Sequence, residues 1–256
     1  MAEQHIVVTG GGSGIGRATA ILAAASGARV SVLDRDHEAA QQTVQAAAAG
    51  AAHAYPCDVT DGTALGAVLD AAERASGPIT GLVAAAGVDR GGLAHQLPEE
   101  VWREVVDVNL TGAFLATRDV LRRMVEAGTP GALVLVSSPA AFVGFAAGGA
   151  SAYAASKGGV SALTRSLAVD YAAHGIRVNA VVPGSTETPL MWAAVAPADR
   201  DAMRKQVERE IPLGRIADPT EPARAALWLL GQESSYVTGS HLVCDGGVLA
   251  KASISV

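Results

Sequence analysis

Tyr153 and Lys157 stand four residues apart in the run YAASK, which puts both side chains on one face of a helix. That spacing has a chemical use. A phenol with a pKa of about 10 is a poor base at neutral pH, but an adjacent ammonium and a cationic nicotinamide both favour its phenolate and bring it into the working range of a general acid/base. Tyr-x-x-x-Lys is also a common pair on helix surfaces, so its meaning depends on what the rest of the chain supplies. Near the amino terminus, HIVVTGGGSGIGRATA sets a glycine-rich turn between a β-branched apolar run and an alanine-rich stretch. Such a turn presents backbone N–H groups and a helix N-terminus to a pyrophosphate, and Gly10, Gly14 and Gly16 are the glycines that matter. Gly11 and Gly16 also have P-loop separation, but Arg17 and Ala18 stand where the phosphate-reaching Lys and the Mg²⁺-binding Ser/Thr are required. Nucleoside triphosphate hydrolysis is therefore disfavoured.

Asp34 ends the second apolar run, where a carboxylate accepts hydrogen bonds from adenosine ribose hydroxyls, and this favours NAD. A 2′-phosphate about 4 Å from that carboxylate meets roughly 4 kcal/mol of repulsion at an effective dielectric of 20. Arg17 or Arg35 could neutralise it, which keeps NADP as the alternative. Asp58 and Val59 follow the third run and are placed to meet an adenine ring.

The elements that must position these groups alternate from end to end. Strands are expected at 6–9, 29–33, 52–56, 81–84, 132–136, 177–181 and 241–243, and helices at 14–26, 38–49, 62–76, 99–127, 151–173 and 220–231. The strand runs lack polar alternation, as expected where helices cover both faces of a sheet, so the fold class is α/β: a Rossmann-like, doubly wound parallel sheet of about seven strands. Residues 184–210 are the most irregular. There PGSTETPLMW precedes the charged run ADRDAMRKQVERE, which reads as short exposed helices forming a lid.

Composition narrows the classes. The chain has 256 residues, half of them hydrophobic and 17% charged, which suits one domain over 1–256 with a sizeable core. A net charge of −6 with no Lys/Arg run argues against nucleic acid or an anionic membrane as partner and for a small molecule. Cys57 and Cys244 cannot make a disulfide framework, and MAEQHIVVTG shows no signal-peptide pattern, so a cytoplasmic protein is expected. Residues 127–156 carry no charge, but their Pro130, Pro139 and several Gly read as turn, strand and loop rather than a membrane helix. The six His and two Cys form no HExxH, CxxC or comparable cluster, so no metal site is expected.

TGGGSGIG over 9–16, Asp58-Val59, Asn109, Ser137-Ser138, YAASK over 153–157, PGSTET over 183–188 and CDGG over 244–247 follow one another as in the short-chain dehydrogenases/reductases, which the chain resembles over essentially its whole length. The resemblance implies an NAD-dependent oxidoreductase that interconverts a secondary alcohol and a ketone. Tyr153 would be the general acid/base, and Lys157 would lower its pKa while bonding the nicotinamide ribose. Ser138 would orient the substrate oxygen, and Asn109 would hold a water in a proton relay, although Asn109 also reads as a helix-kinking or capping residue. Cofactor contacts are implied at Gly10, Ser13, Gly14, Ile15, Gly16, Asp34, Asp58, Val59, Gly87, Tyr153, Lys157, Pro183, Gly184, Thr186 and Thr188; Asn179 and Asp245-Gly246 read as structural.

The chain departs from the family pattern in three ways. Ala84-Ala85-Ala86-Gly87 replaces the usual Asn-Asn-Ala-Gly after the fourth strand. Ser138 precedes Tyr153 by 15 residues, about two more than is common, with the extra length in FVGFAAGGASA; Ser137 is farther still. That loop has no ionisable residue, so Ala140, Phe142, Phe145, Met191 and Trp192 suggest a partly apolar substrate pocket, with polar contacts from 89–95. His95 reads as a surface or capping residue. Gly158, Gly159, Ala162 and the tail VLAKASISV would suit subunit contacts, and the resemblance points to a homo-oligomer, a tetramer before a dimer. Competing readings are an NADP-dependent carbonyl reductase, a noncatalytic NAD-binding regulatory protein, and a nucleotide-sugar epimerase, for which the chain leaves no room for a substrate domain.

Overall fold

The computed structural model describes residues 4–145 and 148–251. Its centre is a seven-stranded sheet, every neighbouring pair parallel, in the order β3-β2-β1-β4-β5-β6-β7. The strands are β1 (His5–Thr9), β2 (Arg29–Asp34), β3 (Ala52–Pro56), β4 (Gly81–Ala84), β5 (Gly131–Val136), β6 (Ile176–Pro183) and β7 (His241–Cys244). Residues on alternate sides of each central strand enter different cores. Val7, Leu33, Leu82, Leu133 and Val178 pack with Leu65 and Leu69 of α3 (Gly62–Ser76), Leu121 and Met124 of α5 (Gly112–Glu126) and Val160 of α6 (Ser151–Tyr171). Ile6, Val8, Val30, Val83 and Val134 pack on the other face with Ala20 and Ala23 of α1 (Gly14–Ala25), Ala40 of α2 (His37–Ala46) and Leu229 and Leu230 of α9 (Thr220–Leu230). With both faces dry, the central strands need no polar alternation.

Strand order reverses between β1 and β4, so the chain leaves these neighbours in opposite directions and opens a crevice beyond their carboxyl ends. The glycine-rich turn follows β1 and Ala85–Gly87 follows β4, on the two sides of that crevice.

The helix expected over 99–127 is instead three pieces: α4 (Glu99–Val106), one π-helical turn (Asp107–Thr111) and α5. Tertiary contact explains the extra residue in the turn. It sends Asn109 inward against Val88 and Ser156, and it brings Gly112 so close to Val59 that a β-carbon there would lie 2.5 Å from Val59 Cγ2. The uncharged stretch 127–156 is turn, β5, a short 3₁₀ turn and the start of α6, and among the described residues no helix is long and apolar enough to cross a membrane.

Candidate active site

The turn after β1 is built by contacts only glycine permits. Gly10 has φ +64°, and a β-carbon on it would lie 2.6 Å from Ala86 Cα; one on Gly16 would lie 2.2 Å from the Gly10 carbonyl oxygen. Helix α1 therefore starts tight against β1, with Gly10 packed on the backbone of Ala86. The turn is pinned by the Thr43 hydroxyl, which donates to Gly11 O at 2.9 Å, and by the Gly12 N–H, which donates to Asp34 Oδ2 at 2.9 Å. Helix α1 opens at Ser13 with no side-chain cap and no acidic residue in its first turn, leaving its N–H groups and positive dipole end free for an anion.

These N–H groups face a cavity of about 580 Å³ that runs along the crevice, the size of a small-molecule or cofactor site. Gly10, Ser13, Gly14, Ile15, Gly16, Asp34, Asp58, Val59, Gly87, Pro183, Gly184, Thr186 and Thr188 all line it, together with Ser138, Tyr153 and Lys157. Asp34 accepts from Gly12 N–H through one oxygen and from Asp36 N–H through the other, so its carboxylate is fixed at the cavity rim with lone pairs to spare. Arg35 lines the same end, whereas Arg17 is not among the lining residues. Asp58 is held by the backbone and hydroxyl of Thr60, and those two hydrogen bonds lower its pKa. The residues thus fit a dinucleotide: an anion cradle in the middle, a carboxylate acceptor at one end and hydroxyl donors at the other.

At the far end, α6 presents Tyr153 and Lys157 to the cavity from the face their spacing predicts. Ser138 begins the 3₁₀ turn Pro139–Ala141, accepts from Ala140 N–H at 3.2 Å and stands beside the Tyr153 phenol, whose pKa its hydroxyl lowers. Ser137 turns its hydroxyl to the Lys157 carbonyl and to Ser161, which leaves Ser138 as the serine beside the phenol. The Lys157 ammonium lies 5.7 Å from the Tyr153 ring centroid and donates to Val136 O at 2.8 Å. Burial pushes the Tyr153 phenol up to about 12, against the lowering effect of the Ser138 hydroxyl and with a further rise from Asp89. Burial pushes Lys157 down to about 8, opposed by Asp89. In the protein alone desolvation dominates at the phenol.

Asn109 is 1% exposed, and both its amide N–H groups are spent. It donates to Val88 O at 2.9 Å and Ser156 Oγ at 3.1 Å, while its Oδ1 accepts from Val88 N–H at 2.8 Å. Ser156 in turn donates to Tyr153 O. The Asn109 side chain is thus a clamp joining the π-turn, the segment after β4 and α6, and only leftover acceptor capacity remains for a water.

The profile of a family described as enoyl-(acyl carrier protein) reductase matches residues 10–249. The chain belongs to the short-chain dehydrogenase/reductase family. The 2,5-dichloro-2,5-cyclohexadiene-1,4-diol dehydrogenase of Sphingobium indicum is 42% identical over 252 residues, 98% of each chain. The cis-4-hydroxycyclohexanecarboxylate dehydrogenase of Sinomonas cyclohexanicum is 43% identical over 253 residues, 97% of this chain and 98% of that protein. A solved short-chain type dehydrogenase/reductase from Mycobacterium marinum superposes with a TM-score of 0.91 at 33% identity, over 98% of this chain and 97% of that one. As a short-chain dehydrogenase/reductase, the protein is an enzyme acting on CH–OH groups, of a family that uses NAD(P).

The substrate side of this dehydrogenase/reductase differs from the sequence expectation. Phe145 and Met191 line the cavity, but Ala140, Phe142 and Trp192 do not. Phe142 packs edge-on to His241, and Trp192 is buried beside Ile211 and Ile216 with its indole N–H donating to Glu187 at 2.7 Å. In their place come Leu190, Val195, Val248 and, four residues apart on α8 (Arg200–Glu210), Met203 and Val207. The segment 184–210 includes a short helix, α7 (Pro189–Trp192), and is tied together by Arg204, which pairs with Glu187 at 2.7 Å and lies over the Trp192 ring. Asp89, the first residue of the stretch 89–95 from which polar contacts are expected, lines the cavity. His95 is exposed and is not among the lining residues. Asn179 and Asp245 are structural, bonded to Val237 and Ser240 and to the N–H groups of Gly247 and Leu249. Gly159 packs within the chain, since a β-carbon there would lie 2.6 Å from Leu110 Cδ2; Ala146, Ala147 and 252–256 of the tail lie outside the described residues.

Proposed function

We propose that this enzyme is an NAD-dependent dehydrogenase of secondary alcohols, working in the cytoplasm on a small molecule as a homo-oligomer, tetramer before dimer. The chain acts as one dinucleotide-binding oxidoreductase domain with a lid over 184–210. The observation that carries the reading is that Ser138, Tyr153 and Lys157 line the same cavity as the α1 N-terminus and Asp34. The backbone of 13–16 holds the pyrophosphate, Asp34 the adenosine ribose, Asp58 and Val59 the adenine, and Lys157, Thr186 and Thr188 the nicotinamide end. Bound NAD supplies the hydride acceptor. Ser138 hydrogen-bonds the carbinol oxygen, and Tyr153 takes the hydroxyl proton as hydride leaves the carbinol carbon; in the reverse direction Tyr153 returns the proton to the ketone oxygen. Because burial holds Tyr153 up to about 12, the phenolate that accepts this proton needs added positive charge at the site, and Lys157 with the bound nicotinamide supplies it. Relatives named for a cyclic diol and a hydroxycyclohexane acid support a cyclic secondary alcohol as substrate.

Arg35 at the cavity rim favours a second reading, an NADP-dependent carbonyl reductase. The experiment is NADH or NADPH formation with a panel of secondary alcohols, run beside Tyr153→Phe. The variant is expected to lose roughly a hundred- to ten-thousandfold in kcat while still binding NADH, and undiminished turnover would refute the assignment. A higher kcat/KM with NADP than with NAD would show that Arg35 outweighs Asp34.

A further inference from the structure

Asp89 is the carboxylate at the reacting end of the cavity, where it shares the lining with Ser138, Tyr153 and Lys157, and two features hold it there. On one side Val88 is clamped through both its N–H and its C=O by Asn109. On the other, Gly92 donates to Gly149 O at 2.8 Å and bridges to Ala150, which ties this segment to the loop entering α6. Asp89 is placed by its flanking backbone and is exposed to solvent; among the described residues its carboxylate accepts no hydrogen bond and joins no ion pair, although the charge of Lys157 acts on it. Its neighbour Arg90 pairs with Glu104 at 2.9 Å, and the Lys157 ammonium, which donates to Val136 O, makes no hydrogen bond to Asp89. The rest of the substrate side is apolar or hydroxylic, from Phe145, Leu190, Met191, Val195, Met203 and Val207 to Ser138 and Ser185.

Resting on the dehydrogenase reading, we infer that Asp89 is a substrate-recognition residue that accepts a hydrogen bond from a second hydroxyl of the substrate, so that the preferred substrate class is a neutral diol or polyol. A carboxylate facing a largely apolar pocket gains most from a neutral donor, because the bond is charge-assisted, and it repels an anionic group brought to the same place. A site built around such an acceptor also penalises a substrate lacking the donor, since the acceptor is then desolvated with nothing in return. Asp89 takes no part in the proton or hydride transfer; it fixes which end of the substrate lies away from Tyr153.

The test is kcat/KM on cyclohexanol, the cyclohexanediols, an acyclic vicinal diol and a hydroxycyclohexanecarboxylate, for the wild type, Asp89→Asn and Asp89→Ala. The best diol is expected to exceed cyclohexanol by about tenfold or more in the wild type. That ratio falls in the order Asp, Asn, Ala, mainly through KM, while the hydroxy acid gains relative to cyclohexanol in both variants. A merely structural role would lower all substrates together and leave the ratio in place. Equal losses on diol and mono-alcohol, or a wild type that prefers cyclohexanol or the hydroxy acid, would overturn the inference and leave the dehydrogenase reading standing. Absence of Tyr153-dependent turnover on every compound would instead sink the dehydrogenase reading and this inference with it.

Discussion

Replacing Lys157 with Met should make the protein more stable at neutral pH while removing its activity. Lys157 is 5% exposed, its ammonium has a single hydrogen bond at 2.8 Å, and burial pushes its pKa down to about 8 from 10.5. At 1.36 kcal/mol per pKa unit, holding the charged form in the folded state costs about 3 kcal/mol. Methionine matches the stem and carries no charge; against that gain stands the lost bond to Val136 O, about 1 kcal/mol. The net advantage of Lys157→Met at about pH 7 is then about 2 kcal/mol, or roughly 4–8 °C in Tm for a chain of this length. The sign follows from linkage. Below about pH 8 both folded and unfolded states are protonated and the full cost is present. Between about pH 8 and 10.5 the unfolded state binds more protons, so wild-type stability rises with pH and the gap closes. Urea unfolding of both proteins without cofactor, at about pH 7 and again near pH 10, reads the difference directly, because other titrations are common to the pair. A variant less stable than wild type at pH 7, with a gap that pH leaves alone, would refute the account of a charge held against desolvation.

Two other substitutions test the framework of the site. Asn109→Ala leaves Val88 N–H, Val88 C=O and Ser156 Oγ without their partner, so thermal unfolding should show a loss of about 2–4 kcal/mol alongside collapse of kcat. Gly16→Ala puts a methyl group 2.2 Å from the Gly10 carbonyl oxygen, and backbone cannot yield as a side chain does. NADH fluorescence titration should show affinity weakened about tenfold or more with stability lowered by about 1–3 kcal/mol, and an affinity within about twofold of wild type would show that α1 can back away from the turn at little cost.

The strands were legible because runs such as ALVLV and VNAVV are buried on both sides, and a continuous apolar run between turn signals has few other readings. The cradle was legible because glycines at this spacing after an apolar run mark a βα turn: Gly16 packs against the Gly10 carbonyl six residues away, although the close neighbour of Gly10 itself, Ala86, is distant in sequence. What escaped was set by contacts between distant segments. Nothing local in DVNLTG distinguishes a π-turn from continued helix; the deciding partners are Val88, Ser156 and Val59. Trp192 read as pocket lining because it is large and apolar, yet its indole N–H needs a partner when buried, and Glu187 five residues earlier provides it. Met203 and Val207 had a local signal, two apolar residues four apart in a charged stretch, but only the position of α8 over the crevice gives that pair meaning.

Glu187 sits between Thr186 and Thr188 in the segment proposed to hold the nicotinamide end, and it also grips Trp192 and Arg204 of the proposed lid. One short stretch of backbone therefore answers to two masters. Any ligand that immobilises the two threonine hydroxyls also immobilises the tether of the lid, and any occupant that seats the lid restrains the threonines in return. By linkage the favour is mutual and equal in free energy, so a dinucleotide bound first leaves less disorder for the alcohol to remove. Coupling between the two sites is thereby carried by three consecutive residues, with no separate signalling element, and being reciprocal it sets no order of addition.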